Sequence, residues 1–83
     1  MSKLQKMIHR IKQRPTDYTF EEACTLLKAL GFSIDNKGKS SGSRLMFEKE
    51  GVCIYIHKPH PQKEIKRYQL KQILEVLDRE GLI

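Results

Sequence analysis

The feature that most restricts the fold of this sequence is a pair of alternating segments on either side of Glu50 and Gly51. From Val52 to His57, the apolar residues Val52, Ile54 and Ile56 fall at every second position. In the segment from Gly42 to Lys49, Leu45 and Phe47 likewise share one side. This alternation is typical of strands with one buried face. Two residues ending in glycine form a plausible tight turn between such segments. We therefore predict two antiparallel strands joined at Glu50 and Gly51.

The turn determines the register of this hairpin. A two-residue turn places Phe47 opposite Ile54, Leu45 opposite Ile56, Met46 opposite Tyr55, and Arg44 opposite His57. A slip of one residue would move the apolar side chains to the solvent face, so this register is strongly favoured. The other face then presents Arg44, Met46, Tyr55 and His57 to solvent.

Three segments have helical patterns. Ser2 to Arg14 carries an apolar stripe of Leu4, Met7, Ile8 and Ile11, and Pro15 stops it. Thr19 begins the second helix in a capping box with Glu22, and Gly31 ends it. The third helix extends from about Lys66 to Glu80 with Leu70, Ile73, Leu74 and Leu77 along one side, and Gly81 ends it.

The element order indicates an α+β domain. Phe32 to Asp35 is predicted to add a short first strand, followed by a polar loop over 36–41, and 58–62 is a loop containing two prolines. The predicted order is α-α-β-β-β-α, with a three-stranded antiparallel sheet and the helices on one of its faces. A chain of 83 residues has no room for a deep cleft, so any chemistry must lie on an open surface.

The charge of the chain indicates a polyanionic partner. Sixteen Lys and Arg against ten Asp and Glu give a net charge of +6. Basic residues follow the third strand closely, and an exposed aromatic ring and a cation on the open face suit single-stranded RNA. The alternative is an ordinary solvated surface, because exposed charge runs are common. The sequence also carries two lysines, Lys37 and Lys39, in the loop after the first strand.

Other classes of protein fit the sequence less well. No apolar stretch approaches the roughly 20 residues of a membrane-spanning helix, and the first residues lack the pattern of a signal peptide. Cys24 and Cys53 do not form a disulfide framework, so we expect reduced thiols in a cytoplasmic protein. His57 and His60 lie on a strand end and a proline loop, a spacing that does not favour a metal site. We expect no cofactor and no metal.

Several short segments, taken in order, resemble the HicA family of toxins. They are Thr19-Phe20-Glu21-Glu22, Leu26 to Phe32, Gly42 to Phe47, His57-Lys58-Pro59-His60, and Ile65-Lys66 with Leu70, Ile73 and Leu74. The resemblance covers Thr19 to the end, so we divide the chain into an N-terminal helical extension (1–15) and a HicA-like RNA-binding domain (16–83). It implies a fold similar to a double-stranded-RNA-binding domain, ribosome-independent cleavage of mRNA, and a HicB-type antitoxin as protein partner.

One position departs from the pattern of that family. Its signature is Gly-Ser-His and, after two more residues, Phe, with the histidine as the catalytic residue. Gly42, Ser43 and Phe47 match, but Arg44 stands where the histidine would be. Histidine can exchange protons near neutral pH, whereas arginine stays protonated and binds phosphate instead. Cleavage is therefore either performed by His57 with Arg44, or lost.

These considerations give one list of candidate site residues. The candidate catalytic residues are His57 and Arg44, and the candidate RNA-binding residues are Lys37, Lys39, Ser43, Arg44, Tyr55, His57, Lys58, His60, Lys63, Lys66 and Arg67. If cleavage is lost, the chain is a non-catalytic RNA-binding or protein-interaction domain. The basic first helix could then dock on an acidic partner or pair with another copy of itself.

Overall fold

The protein is an α+β domain in the predicted element order. A computed structural model describes residues 2–35, 44–59 and 62–83. Its elements are α1 (Lys3–Lys12), α2 (Phe20–Ala29), β1 (Ser33–Asp35), β2 (Arg44–Lys49), β3 (Val52–His57) and α3 (Arg67–Arg79). The strands form an antiparallel sheet in the order β1-β2-β3. The prediction of an α+β fold is confirmed, although the predicted start of the second strand at Gly42 lies outside the described residues.

The hairpin has the predicted turn and register. Glu50 and Gly51 have φ values of 50° and 85°. Two successive left-handed residues make the type of turn whose twist matches that of the strands it joins. The register pairs Phe47 with Ile54, Met46 with Tyr55, and Arg44 with His57. The sequence-based register is therefore confirmed across the whole hairpin.

Both ends of helix α2 are capped by residues next to it in the chain. The Thr19 hydroxyl accepts a hydrogen bond from the Glu22 amide at 3.1 Å, and the Glu22 carboxylate accepts one from the Thr19 amide at 3.2 Å. After the helix, Gly31 has φ 101°, and the Phe32 amide donates to the Leu27 carbonyl at 2.9 Å. This is the glycine C-cap predicted from the sequence. The Phe32 amide closes the helix, and β1 begins one residue later than predicted.

Helix α1 ends two residues before its predicted limit at Arg14. Gln13 and Arg14 donate their amides to carbonyls three residues back, and Arg14 has φ 51°. Arg14 precedes Pro15, and a residue before proline is sterically disfavoured in the α-helical region. The helix begins with a capping box between Ser2 and Gln5, which the sequence analysis did not identify.

The core lies between the helices and one face of the sheet. The buried apolar side chains are Ile11, Tyr18, Ala23, Leu26, Leu27, Phe32, Phe47, Ile54, Ile56, Ile65, Leu70, Ile73, Leu74 and Leu77. Ile11 of α1 is fully buried among them, and α1 packs against both α2 and α3. The predicted arrangement of helices on one face of the sheet therefore includes α1.

The segment that leads into α3 runs antiparallel to the residues before α2. Phe20 donates its amide to the Lys63 carbonyl at 3.0 Å, and Ile65 donates to the Tyr18 carbonyl at 2.9 Å. Thr19 and Glu64 form an isolated β-bridge between these two hydrogen bonds. The bridge holds the segment before α3 against the start of α2.

Candidate nucleic-acid interface

The face of β3 away from the helices is open to solvent. Ile54 and Ile56 are buried, whereas Cys53, Tyr55 and His57 between and beside them are exposed. Tyr55 keeps 48% of its surface exposed. This alternation is the one predicted, so Tyr55 and His57 lie together on one surface.

Gln69 of α3 holds the end of β3 in place. Its side-chain amide donates to the Tyr55 carbonyl at 2.8 Å, and its side-chain oxygen accepts the His57 amide at 3.1 Å. The Gln69 side chain is only 3% exposed. A single side chain thus makes the two hydrogen bonds that a neighbouring strand would make, and it fixes the backbone that carries His57.

These hydrogen bonds define how His57 faces its neighbour in β2. Because the His57 amide points to Gln69, away from β2, Arg44 and His57 are a pair without mutual backbone hydrogen bonds. In such pairs the Cα atoms approach to about 4.5 Å, closer than in hydrogen-bonded pairs. The structure therefore brings the two candidate catalytic positions together as close cross-strand neighbours.

A surface depression of about 330 Å³ lies between the end of β3 and the start of α3. It is lined by His57, Lys58, Pro59, Gln62, Lys66, Tyr68 and Gln69. Lys58 and Lys66 are exposed, and Tyr68 is 56% exposed. Hereafter this site is the β3–α3 depression. The sequence analysis missed Tyr68, because no other aromatic residue lies near it in the sequence: Tyr55 is 13 positions earlier.

The start of α3 is electropositive. Lys66 occupies the N-cap position with extended backbone angles and makes no side-chain capping hydrogen bond to any described residue. An ammonium group has no acceptor with which to cap a helix. The first turn of α3 holds no acidic residue. The partial positive charge of the helix end therefore adds to that of Lys66 and Arg67.

The predicted basic residues do not all lie in one place. Lys66 lines the β3–α3 depression, and Lys63 lines an adjoining depression of about 220 Å³ beside Thr19, Phe20 and Glu21. Lys58 lines both depressions. Arg67 is exposed on the first turn of α3. Four further candidates, Lys37, Lys39, Ser43 and His60, lie outside the described residues.

The described part of the chain contains few other groups with special chemistry. Within residues 2–35, 44–59 and 62–83, no three His, Cys, Asp or Glu side chains are grouped so that they could hold a metal ion. Burial raises the pKa of the Cys24 thiol, which disfavours the reactive thiolate. None of the described helices has the length and apolar character needed to cross a membrane.

The fold and this surface define a class of small, basic α+β domain whose candidate site is an open sheet face rather than a cleft. Comparison with protein families identifies the class more closely. The family model described as the HicA toxin of bacterial toxin–antitoxin systems matches residues 20–78. The chain belongs to the HicA toxin family. Neither the curated proteins nor the solved structures include a significant match. Helix α1 lies outside the matched range.

Proposed function

We propose that the protein is a toxin that binds mRNA and cleaves it without a metal ion, and that a HicB-type antitoxin neutralises it in the cytoplasm. Membership of the HicA family supports the toxin role. The observation that carries the proposal for cleavage is the register that pairs Arg44 with His57 on the open hairpin. It puts an imidazole beside the position where the family has its histidine.

The proposed chemistry needs a base and a group that stabilises negative charge. His57 takes the proton of a ribose 2′-hydroxyl, and the 2′-oxygen forms a bond to the adjacent phosphorus as the bond to the 5′-oxygen breaks. The 5′-oxygen leaves with a proton from solvent. Arg44 stays protonated and binds the non-bridging phosphate oxygens as charge develops on them. The products are a 2′,3′-cyclic phosphate and a 5′-hydroxyl.

Binding of RNA is supported by the surface around His57. Tyr55 offers an exposed ring on which an unstacked base can stack. Lys58 and Lys66 line the depression that His57 also lines, and the net charge of +6 favours association with a polyanion. A HicB-type antitoxin is proposed to cover this same basic surface and so exclude RNA.

A second function is favoured by one observation. Arg44 occupies the position of the family's catalytic histidine, and arginine cannot serve as a general base. If His57 does not replace that base, the domain binds RNA without cleaving it. Arg44 and the lysines would still contribute to binding in that case.

The experiment that separates the two functions is incubation of the purified protein with labelled mRNA in EDTA. Wild type is compared with His57→Ala and Arg44→Ala, and with His9→Ala, which removes an exposed histidine of α1 as a matched control. Cleavage with 2′,3′-cyclic phosphate products that His57→Ala abolishes and His9→Ala retains is the expected result. A HicB-type antitoxin should protect the RNA.

Two results would contradict the proposal of cleavage. Intact mRNA with wild type, together with binding that Arg44→Ala weakens, would assign the protein to binding alone. Cleavage that persists in His57→Ala would remove that residue from the mechanism.

A further inference from the structure

The two large aromatic side chains that remain exposed in the described structure both lie beside His57. Tyr55 stands two residues before it on the same face of β3, and Tyr68 of α3 lines the β3–α3 depression that His57 also lines. Their exposed fractions are 48% and 56%. A small domain can leave single aromatic rings exposed. Two exposed rings on either side of one histidine, however, could each stack a base of the same RNA strand.

We propose that the β3–α3 depression binds one nucleotide of a single RNA strand, next to the phosphate at His57. The base stacks on the Tyr68 ring, and Lys58 and Lys66 bind the phosphate of that nucleotide. The inference rests on the proposed function, in that it takes RNA to be the ligand. It adds a site and a residue, Tyr68, that determine how the strand is held.

The charge of the depression distinguishes it from the other depressions on the described surface. None of the described residues that line it is acidic. The depression beside α2 adjoins it and shares Lys58, Pro59 and Gln62, but also contains Glu21. The one beside Arg10 contains Glu21 and Glu22, and the one at the α1–α3 contact contains Glu75 and Asp78. A carboxylate would repel a phosphate, so of these four the β3–α3 depression, with two lysines and no carboxylate among its described residues, suits an anion best.

One lining side chain of the depression is held in place by hydrogen bonds. Gln69, which lines it, is 3% exposed and is fixed by hydrogen bonds to the Tyr55 carbonyl and the His57 amide. Pro59 supplies an apolar surface with a restricted backbone. A nucleotide would therefore enter a surface that is already formed, which limits the entropy lost on binding.

The placement also predicts the path of the strand. An RNA strand that stacks one base on Tyr55 and the next on Tyr68 crosses the end of β3 with the intervening phosphate at His57. Base–aromatic stacking has little sequence preference, because every base has a flat face. The protein should therefore accept many sequences and require an unpaired dinucleotide step.

The test measures binding of a fluorescent single-stranded RNA to the full-length chain by anisotropy. Tyr68→Ala should weaken binding roughly 5- to 150-fold, whereas Tyr68→Phe should keep most of the affinity because the ring is retained. Lys58→Ala and Lys66→Ala should each weaken binding. Lys28→Ala, which removes an exposed lysine from the last turn of α2, should not.

A second measurement needs no variant. In NMR titrations of wild type with a nucleoside monophosphate, the Tyr68 ring protons and the Lys58 and Gln69 amides should shift first. RNA binding that is unchanged in a folded Tyr68→Ala, or shifts confined to other surfaces, would overturn the nucleotide site and leave the proposed function standing. Absence of any RNA binding by wild type would overturn both.

Discussion

Glu22 connects the first two helices through several hydrogen bonds at once. Its carboxylate accepts hydrogen bonds from the Arg10 guanidinium and, as part of the capping box, from the Thr19 amide. The hydrogen bond from Arg10 is the largest cause of a lowered pKa for Glu22, and it opposes the effect of partial burial. Arg10 also lies 5.7 Å from the centre of the Tyr18 ring. The ion pair of Arg10 with Glu22 therefore links α1 to the start of α2, and a second pair joins Arg10 to Asp17 at 3.4 Å.

Because of the ion pair of Arg10 with Glu22, we predict that the unfolding free energy of the protein falls in acid. The pKa of Glu22 is lower in the folded protein than its ordinary value of 4.5, so the contribution is complete above that pH. As the pH falls below it, the unfolded chain takes up the proton first and the contribution is lost. Between pH 7 and about pH 3.5, the unfolding free energy of wild type should fall more than that of Glu22→Gln.

Urea denaturation at the two pH values measures this difference. Glu75→Gln, which removes an exposed carboxylate of α3, is the matched control and should behave like wild type. Because the Glu22 side chain is 34% exposed, the effect should be modest and should shrink in high salt. Equal acid sensitivity in wild type and Glu22→Gln would contradict the assignment.

The sequence predicts correctly those residues whose conformation is determined by their near neighbours in the chain. The caps at Thr19 and Gly31 and the turn at Glu50 and Gly51 were all predicted, because each depends on neighbours within a few positions. The ion pair of Arg10 with Glu22 spans 12 residues and two helices. Nothing in the local pattern distinguishes Arg10 from the other cations of α1, so this contact needed the structure.

At the scale of elements, Gln69 joins a helix to a strand edge. The residue lies on the apolar side of α3, four and eight positions before Ile73 and Leu77. A glutamine at such a position was a signal that a buried polar partner exists, since buried amides are nearly always hydrogen-bonded. The sequence could not show that the partners are the Tyr55 carbonyl and the His57 amide.

The variant Gln69→Leu should distinguish the effect of the Gln69 hydrogen bonds from the effect of burying its side chain. Leucine fills similar space but leaves the His57 amide and the Tyr55 carbonyl without their partner, which should cost about 2 kcal/mol of unfolding free energy. The exchange of the His57 amide with solvent should also accelerate. Gln72→Leu, on an exposed face of the same helix, is the control.

The two measurements are urea denaturation and NMR-detected hydrogen exchange. If the His57 amide is equally protected from hydrogen exchange in Gln69→Leu, the Gln69 hydrogen bonds do not hold the end of β3. If the protection falls while cleavage and RNA affinity are unchanged, Gln69 is structural and His57 does not depend on its exact position.

The apolar stripe of α1 is used within the domain. Ile11 is fully buried, and α1 packs on α2 and α3. The possibility that its basic face docks on an acidic partner or pairs with another copy of the chain stays a hypothesis. The division of the chain into 1–15 and 16–83 stays a prediction. Deleting α1 would remove part of the core, so docking is better tested with substitutions of its exposed lysines.

At the scale of the whole molecule, the shape of the domain determines what kind of site it can offer. The principal dimensions are 38 × 31 × 20 Å, so the described part of the domain is thin in one direction. The β3–α3 depression could not be predicted from the sequence, because it forms where a strand end, a loop and a helix start meet.

The net charge of +6 leads to a prediction for RNA binding in salt. Each phosphate neutralised on a single strand contributes a slope of about −0.7 to the logarithm of affinity against the logarithm of salt concentration. About four such contacts around His57 would give a slope near −3. Lys66→Ala should reduce its magnitude by about 0.7, and Lys28→Ala should leave it unchanged.

Anisotropy titrations over a range of salt concentrations provide the slope. A slope near zero would mean that the basic surface does not contact phosphates, whatever the affinity. Identical slopes for wild type and Lys66→Ala would place the contacts elsewhere on the molecule.

The Gln69 contact has a consequence for how copies of this chain behave toward one another. A sheet edge with unpaired backbone groups can recruit a strand from a second molecule and begin aggregation. The Tyr55 carbonyl and the His57 amide at the outer edge of β3 are already bonded to the Gln69 side chain. This end of β3 therefore offers a poorer template for a strand from a second molecule, even though it lies beside an exposed, basic and aromatic face.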